Sequence, residues 1–243
     1  MKGVILNAGN GKRLYPITKC VSKGLVPVYD RPALMYHISF FAKMGIREVA
    51  LVVSAKHENS YRDFLNQIDT QGVDISLYVQ KEGAGVLAAY GSCAEFTKEN
   101  DIVMVMGDCL YFIDDVAGLK KQAAACFESD KVGIVQGNAK PGTNAAFFEN
   151  DKSNGSLGYN YRTAGENEIC PVGMHFVPKS LTGETSGFIK PGFTELDAAA
   201  VSTRLIQTGR LMLPELAPND EWFDIGTAEQ LFLASAYVRD KKK

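Results

Sequence analysis

Short apolar runs that end in Gly, Asn or Asp alternate with longer amphipathic stretches through the first 135 residues. Val4-Ile5-Leu6 ends in Asn7-Ala8-Gly9-Asn10-Gly11, the pattern of a buried strand entering a glycine-rich turn. Pro32 to Met44 carries Leu34, Ile38, Phe41 and Ala42 at helical spacing and stops at Gly45, so a helix with Pro near its start and Gly past its end is predicted. Glu48 to Val53 reads as strand, Ser60 to Gln67 as helix and Ser76 to Val79 as strand. The small-residue-rich stretch Gly85 to Glu95 reads as an amphipathic helix, and Ile102 to Met106 as a buried strand running into Gly107-Asp108. Alternation of this kind implies right-handed βαβ units: an α/β, Rossmann-like, mostly parallel sheet with helices on both faces.

The pattern changes after residue 135. Phe147-Phe148-Glu149, Tyr159-Asn160-Tyr161-Arg162 and Gly173 to Val177 are short strand-like runs between polar and glycine clusters. They predict a small antiparallel insertion beside the main sheet. Helices are expected at Ala198 to Gln207 and Ala228 to Asp240, and no internal repeat or low-complexity linker separates the parts, so residues 1–243 read as a single domain.

Composition narrows the partners. The 243 residues are 46% hydrophobic, an ordinary globular content, and Lys+Arg 26 against Asp+Glu 28 gives a net charge of -2. No basic block tracks a nucleic-acid backbone, so a nucleic-acid partner is not expected; Lys241 to Lys243 read as a solvated tail. Nothing approaches the apolar length of a membrane span, and Met1 to Leu6 is too short for a signal-peptide core. The five cysteines have no CxxC or Cys/His ligand spacing, which favours reduced thiols and a cytoplasmic location.

The candidate chemistry starts at the first turn. Gly9-x-Gly11-x-Arg13 follows a strand, where glycines let backbone N–H groups approach phosphate oxygens, although a bare glycine turn has the same pattern. Leu14 stands where a dinucleotide-binding turn needs its third glycine, and no Gly-Lys-Ser/Thr follows, which excludes a Walker A loop. The continuation is more specific: Arg13-Leu14-Tyr15-Pro16, then Ser22-Lys23-Gly24-Leu25-Val26-Pro27-Val28-Tyr29-Asp30-Arg31-Pro32. It resembles the sugar-1-phosphate nucleotidyltransferase family, in particular its glucose-1-phosphate thymidylyltransferase branch, with the pattern G-G-x-G-x-R-L-Y-P followed by S-K-x-L-L-P-V-Y-D-K-P.

The resemblance implies a nucleotidyltransferase, glycosyltransferase-A-like fold, with residues 1–135 as nucleotide-binding core and 136–243 supplying the acceptor side and a second metal ligand. It assigns Ala8, Gly9 and Gly11 to the triphosphate, Arg13 to the pyrophosphate, and Lys23 to the α-phosphate or acceptor phosphate. Gln80 and Gly85 match the base-reading Q-x4-G-L-A. Asp108 matches G-D-N and Asp224 the W-x-D-x-G-T pattern at Trp222 to Thr227, which implies a Mg²⁺ held by two carboxylates plus substrate phosphates. Either aspartate could instead cap a turn. The reaction implied needs a cation, guanidinium or ammonium groups and N–H donors around the α-phosphorus, and no protein nucleophile. The three histidines, His37, His57 and His175, are therefore expected to be structural or solvated.

The departures from the family's pattern cluster. Asn7-Ala8-Gly9-Asn10-Gly11 stands for A-G-G-S/T-G, Gly24 for the glutamine after the lysine, and Cys109 for the asparagine of G-D-N. E-E-K-P is absent, Leu157 to Thr163 taking its place; a tyrosine-glycine pair is Thr143-Asn144, and a threonine-aspartate pair is Ala199-Ala200. Gly173 keeps the glycine of V-T-G and Glu195 matches E-L-E, and Arg162, flanked by Tyr159 and Tyr161, is the candidate replacement for the missing acceptor-site lysine; as a strand residue it could equally be solvated. The expected partners are therefore a pyrimidine nucleoside triphosphate and a phosphorylated small-molecule acceptor, either a sugar 1-phosphate or a non-sugar acceptor such as a phosphonate or alcohol phosphate taking a cytidylyl or uridylyl group. A non-catalytic nucleotide-sugar-binding homologue is the competing expectation, and a homo-oligomer is left open.

Overall fold

Strict alternation along the first strands decides the layers. In the strand β1 (Lys2–Asn7), Ile5 joins one buried cluster while Val4 and Leu6 join another. The computed structural model of the chain describes residues 1–80, 85–150, 157–182 and 196–242. After β1 the chain makes a tight 3-10 turn at Lys12–Leu14, a short helix α1 (Ile17–Cys20) and a second 3-10 turn at Lys23–Leu25. A small hairpin, β2 (Pro27–Val28) with β3 (Arg31–Pro32), then delivers the helix α2 (Ala33–Lys43). The βαβ pattern continues with β4 (Glu48–Ser54), α3 (Glu58–Leu65), β5 (Asp74–Gln80), α4 (Gly85–Gly91), α5 (Ala94–Thr97) and β6 (Ile102–Met106). The single helix expected over Gly85 to Glu95 is thus two, broken at Ser92-Cys93.

Beyond β6 come β7 (Cys109–Phe112), α6 (Val116–Glu128) and β8 (Val132–Asn138). Next are a hairpin of β9 (Asn144–Asn150) and β10 (Leu157–Thr163), then β11 (Ile169–Val177) and α7 (Lys179–Thr182). The remaining elements are α8 (Leu196–Gln207), β12 (Leu211–Met212), β13 (Glu221–Asp224) and α9 (Ala228–Lys241). Seven strands form the main sheet in the order β12-β8-β11-β6-β1-β4-β5, parallel throughout except for β11, which runs antiparallel to β6 and β8.

Only part of the antiparallel insertion lies outside that sheet. The β9–β10 hairpin stands apart, as the pattern predicts, whereas the Gly173 to Val177 run is a central strand with both edges paired. The reason is burial: Val172, Met174 and Phe176 are all fully enclosed, a load an insertion at the surface could not hide. Strand β8 also crosses the division expected at residue 135, so both parts of the chain build one sheet.

Helices cover the two faces as the alternation demands. Val49, Leu51, Val53, Val103 and Val105 pack with Leu34, Ile38 and Phe41 of α2 and Leu119, Ala123 and Cys126 of α6. On the opposite face Ala50, Val52, Ile102 and Met104 pack with Ala89 and Tyr90 of α4 and Leu181 of α7. Each large side chain so buried contributes about 1.5–3 kcal/mol, and their sum fixes the strand ends where the site lies. Among the described residues no helix is long and apolar enough to cross a membrane.

Candidate active site

The chain lays β1, β4 and β5 side by side in one direction and then returns to place β6 on the other side of β1. In an open parallel sheet a ligand binds at such a reversal, beyond the carboxyl ends of the strands that flank it. Here those ends are Asn7 with the glycine turn on β1, and Gly107-Asp108 on β6.

The turn after β1 is held by Gly11, whose φ of +60° is left-handed, and by the Thr18 hydroxyl donating to the Gly11 carbonyl at 2.6 Å. Gly9 differs, because a Cβ there would meet no atom within 4 Å. Protein packing does not demand glycine at that position, whereas a phosphate approaching the backbone would. Arg13, on the exposed 3-10 turn, reaches Asp224 at 3.6 Å.

Asp108 and Asp224 are brought together by strand pairing. β13 runs antiparallel to β7 with Asp224 opposite Cys109, and the Ile225 N–H donates to the Asp108 carbonyl at 2.8 Å. Asp224 Oδ1 also accepts from the Gly226 N–H at 2.7 Å, and Thr227 caps α9 by accepting from the Gln230 N–H. Lys23, from the second 3-10 turn, forms a short ion pair with Asp108 Oδ2; the two side chains are 11% and 20% exposed. Burial raises the Asp108 carboxyl, but the Lys23 charge and hydrogen bond override it and hold the group below its ordinary value of 3.8. Asp224 goes the other way: burial first, and then the facing Asp108 charge, push it above that value against the pull of Arg13 and Lys23.

Two carboxylates in mutual repulsion, each with one organic cation at its edge, suit a divalent ion between them. Among the described residues there is no group of three or more His, Cys, Asp or Glu side chains able to hold a metal, so substrate oxygens and water would complete the shell. At the segment expected to read the base, Gln80 at the end of β5 donates to the Gly85 carbonyl at 3.4 Å, which brings the two expected residues together; residues 81–84 between them lie outside the described residues.

This arrangement has relatives. Residues 2–146 match the family described as Nucleotidyl transferase. The chain is 30% identical over 241 residues to glucose-1-phosphate thymidylyltransferase of Neisseria meningitidis, covering 98% of this chain and 83% of that protein. The chain belongs to the nucleotidyl transferase family. The Mycolicibacterium smegmatis glucose-1-phosphate thymidylyltransferase is 27% identical, over 98% of this chain and 82% of its own length. Among solved structures, a Bacillus anthracis protein assigned as a glucose-1-phosphate thymidylyltransferase, in complex with a sucrose, superposes with a TM-score of 0.83 at 22% identity, over 99% of this chain and 96% of that one. UDP-glucose pyrophosphorylase from Acinetobacter baumanii does so at 0.73 and 18%, over 97% and 92%. The protein is therefore an enzyme, a nucleotidyltransferase related to those that act on sugar 1-phosphates, and its fold is theirs.

The residues expected on the acceptor side are more dispersed. Gly173 lies in β11 with φ +74°, and a Cβ on it would stand 2.8 Å from Cys109 Sγ, which joins it to the Asp108 turn. Arg162, in β10, is already engaged: its guanidinium pairs with Glu149 at 2.5 Å and Glu168 at 2.7 Å, and stacks 4.0 Å over the Phe147 ring. Hydrogen bonds to Arg162 hold Glu168 down to about 2. An acceptor phosphate would have to displace a carboxylate to use it, which weighs against that role. Tyr159 lies in β10, and Glu195 lies outside the described residues.

His37 and His175 are enclosed, and burial pushes both down to about 4, which makes them neutral and fits the structural expectation. His37 Nε2 nevertheless meets the Gly107 carbonyl at 3.3 Å, so it supports the Asp108 turn from behind. Asn7 was singled out along the chain only as a departure from the family's turn, with no role assigned to it. It is 4% exposed at the end of β1, and a polar residue closing the apolar run Val4 to Leu6 was the available signal.

Proposed function

We propose that the protein is a Mg²⁺-dependent nucleotidyltransferase that moves a nucleoside monophosphate from a pyrimidine nucleoside triphosphate onto the phosphate of a sugar 1-phosphate or similar acceptor. The observation that carries this reading is the convergence of Asp108, Asp224, Lys23 and Arg13 beside the glycine turn at the sheet's reversal. An acceptor phosphate oxygen attacks the α-phosphorus, the new P–O bond forms as the bond to the β-phosphate oxygen breaks, and pyrophosphate leaves. Asp108 and Asp224 would hold Mg²⁺, which when bound neutralises charge on the phosphates. Lys23 serves the α-phosphate or the incoming acceptor, Arg13 the leaving pyrophosphate, and the backbone from Ala8 to Gly11 the remaining phosphate oxygens. Gln80 reads the base edge, and amide rotation lets it pair with any pyrimidine. The names of the sugar-1-phosphate relatives support that acceptor class, and the free state of all five cysteines supports a cytoplasmic enzyme.

One observation favours a second reading of the acceptor. Arg162, the candidate for the missing lysine, is paired with two carboxylates, so among the described residues it does not rebuild the family's sugar-side contact, which supports an acceptor other than the usual sugar, such as a non-sugar phosphate or phosphonate. A pyrophosphate-release screen of each nucleoside triphosphate against sugar 1-phosphates, alcohol phosphates and phosphonates tests both readings. Release with one pair, abolished by EDTA, is the expected result. No release with any pair from folded protein would leave a nucleotide-sugar-binding homologue.

A further inference from the structure

Two of the departures from the family's pattern, Asn7 and Gly24, are separated in sequence and meet in space. A Cβ placed on Gly24 would stand 1.8 Å from Asn7 Nδ2, 2.6 Å from its Cγ and 2.7 Å from the Tyr61 hydroxyl oxygen. A Cβ placed on Gly107 would stand 2.5 Å from Asn7 Oδ1 and 2.6 Å from the same Cγ. The carboxamide is thus wedged between two glycine backbones, one on the turn after α1 and one at the end of β6. It is buried, and Nδ2 has no hydrogen-bond partner.

An unpaired buried donor is costly, so hydrogen bonding does not explain this residue. Its volume does. Gly24 directly follows Lys23, and Gly107 directly precedes Asp108, so each backbone that the wedge touches carries one member of the buried ion pair. The family's pattern has a small residue at 7 and a long one at 24; here the bulk comes from the β1 side instead. His37 Nε2 at the Gly107 carbonyl and the Gly107 N–H donating to the Leu6 carbonyl at 2.9 Å hold the Asp108 side of the gap fixed. The gap's width is then set by Asn7.

We propose that Asn7 is a positioning residue, whose carboxamide spaces the Lys23 turn from the Asp108 turn and so sets the Lys23–Asp108 pair in register for phosphate transfer. This rests on the function proposed above for Lys23 and Asp108. It makes Asn7 and Gly24 interdependent: neither tolerates the family's residue alone.

The test is a cycle of wild type, Asn7→Ala, Gly24→Ala and Asn7→Ala/Gly24→Ala, read by kcat and by KM for the triphosphate, with crystal structures of wild type and Asn7→Ala. Each single change should lower kcat about tenfold or more with KM within about threefold, and the double, which keeps only the 2.7 Å approach of the new Cβ to the Tyr61 hydroxyl, should recover to at least about threefold above either single variant. A spacer that is merely structural would lower the melting temperature and leave kcat unmoved, and that result, or effects that simply multiply in the double variant, would overturn the proposal. If Gly24→Ala fails to fold, a folded and active double variant is itself the rescue. A wild type that releases no pyrophosphate with any substrate pair counts against the proposed function. The crystal structures then decide the spacing: Asn7→Ala should separate Lys23 from Asp108, and an intact pair overturns the proposal.

Discussion

Asp108→Asn and Asp224→Asn should have similar effects on turnover and different effects on stability. Removing one partner of a buried ion pair strands the other, which costs about 3–5 kcal/mol when both are fully enclosed. Lys23 is 11% and Asp108 20% exposed, so solvent recovers part of that, and Asp108→Asn should cost about 2–3 kcal/mol. In a chain of this length that lowers the melting temperature by roughly 4–12 °C. Asp224 is one-third exposed, its carboxyl is held up by burial and by Asp108, and its contact with the half-exposed Arg13 is long at 3.6 Å. Its replacement by Asn keeps an oxygen for the Gly226 N–H and removes a repulsion, so stability should be unchanged or raised, within about 1 kcal/mol. The pH dependence follows from the two directions. Asp108 titrates lower folded than unfolded, so its stabilisation is complete above its ordinary 3.8 and is lost as pH falls through and below that value. Asp224 titrates higher folded than unfolded, so its cost is absent at low pH and fully present at neutral pH. Thermal melts in EDTA at pH 7 and near pH 3 measure both. Equal losses of melting temperature in the two variants, or an Asp108→Asn loss that persists undiminished at the acid end, would refute the electrostatic account. Turnover should fall about a hundredfold or more in each, since each removes a carboxylate that would hold the Mg²⁺ facing the phosphates.

Arg13→Ala should depress kcat more than it raises KM for the triphosphate, because a guanidinium at the leaving pyrophosphate acts mainly in the transition state; a change in KM alone would make its role uniform binding. Gly173→Ala should destabilise by about 1–3 kcal/mol in urea unfolding, from its φ of +74° and the 2.8 Å approach of Cys109 Sγ, and Cys109→Ala in the same chain should recover part of that loss. Arg162→Ala should lower the melting temperature while leaving the ratio of acceptor KM to triphosphate KM unchanged, as its partners Glu149 and Glu168 imply; a selective rise in acceptor KM would restore it to the acceptor site.

Much of the candidate site around the first turn was legible along the chain because it is local. A strand, its glycine turn and the cations that follow lie within the first 25 residues, and short-range sterics and hydrogen bonds decide their shape, as with Gly11 and Thr18. The apolar run Val4 to Leu6 likewise marked a buried strand, and the structure sends Ile5 to one face and Val4 and Leu6 to the other. The acceptor side was less legible, since β9 and β10 read alike as short polar-flanked strands whether they join the sheet or not.

The sequence by itself determined the α/β class and the main strands and helices up to β6, and it singled out Asp108, Asp224, Arg13 and Lys23 as candidates. What it could not determine was which groups neutralise one another. Lys23 and Asp108 are 85 residues apart, Arg13 and Asp224 farther still, and only the return of the chain across β1 and the pairing of β13 with β7 bring them within a few ångströms. The placement of β11, the engagement of Arg162 and the wedging of Asn7 between Gly24 and Gly107 were decided at the same level. Side-chain periodicity fixes a face within one element, whereas ion pairing and close packing depend on distances between elements, which exist only once the sheet has closed its order.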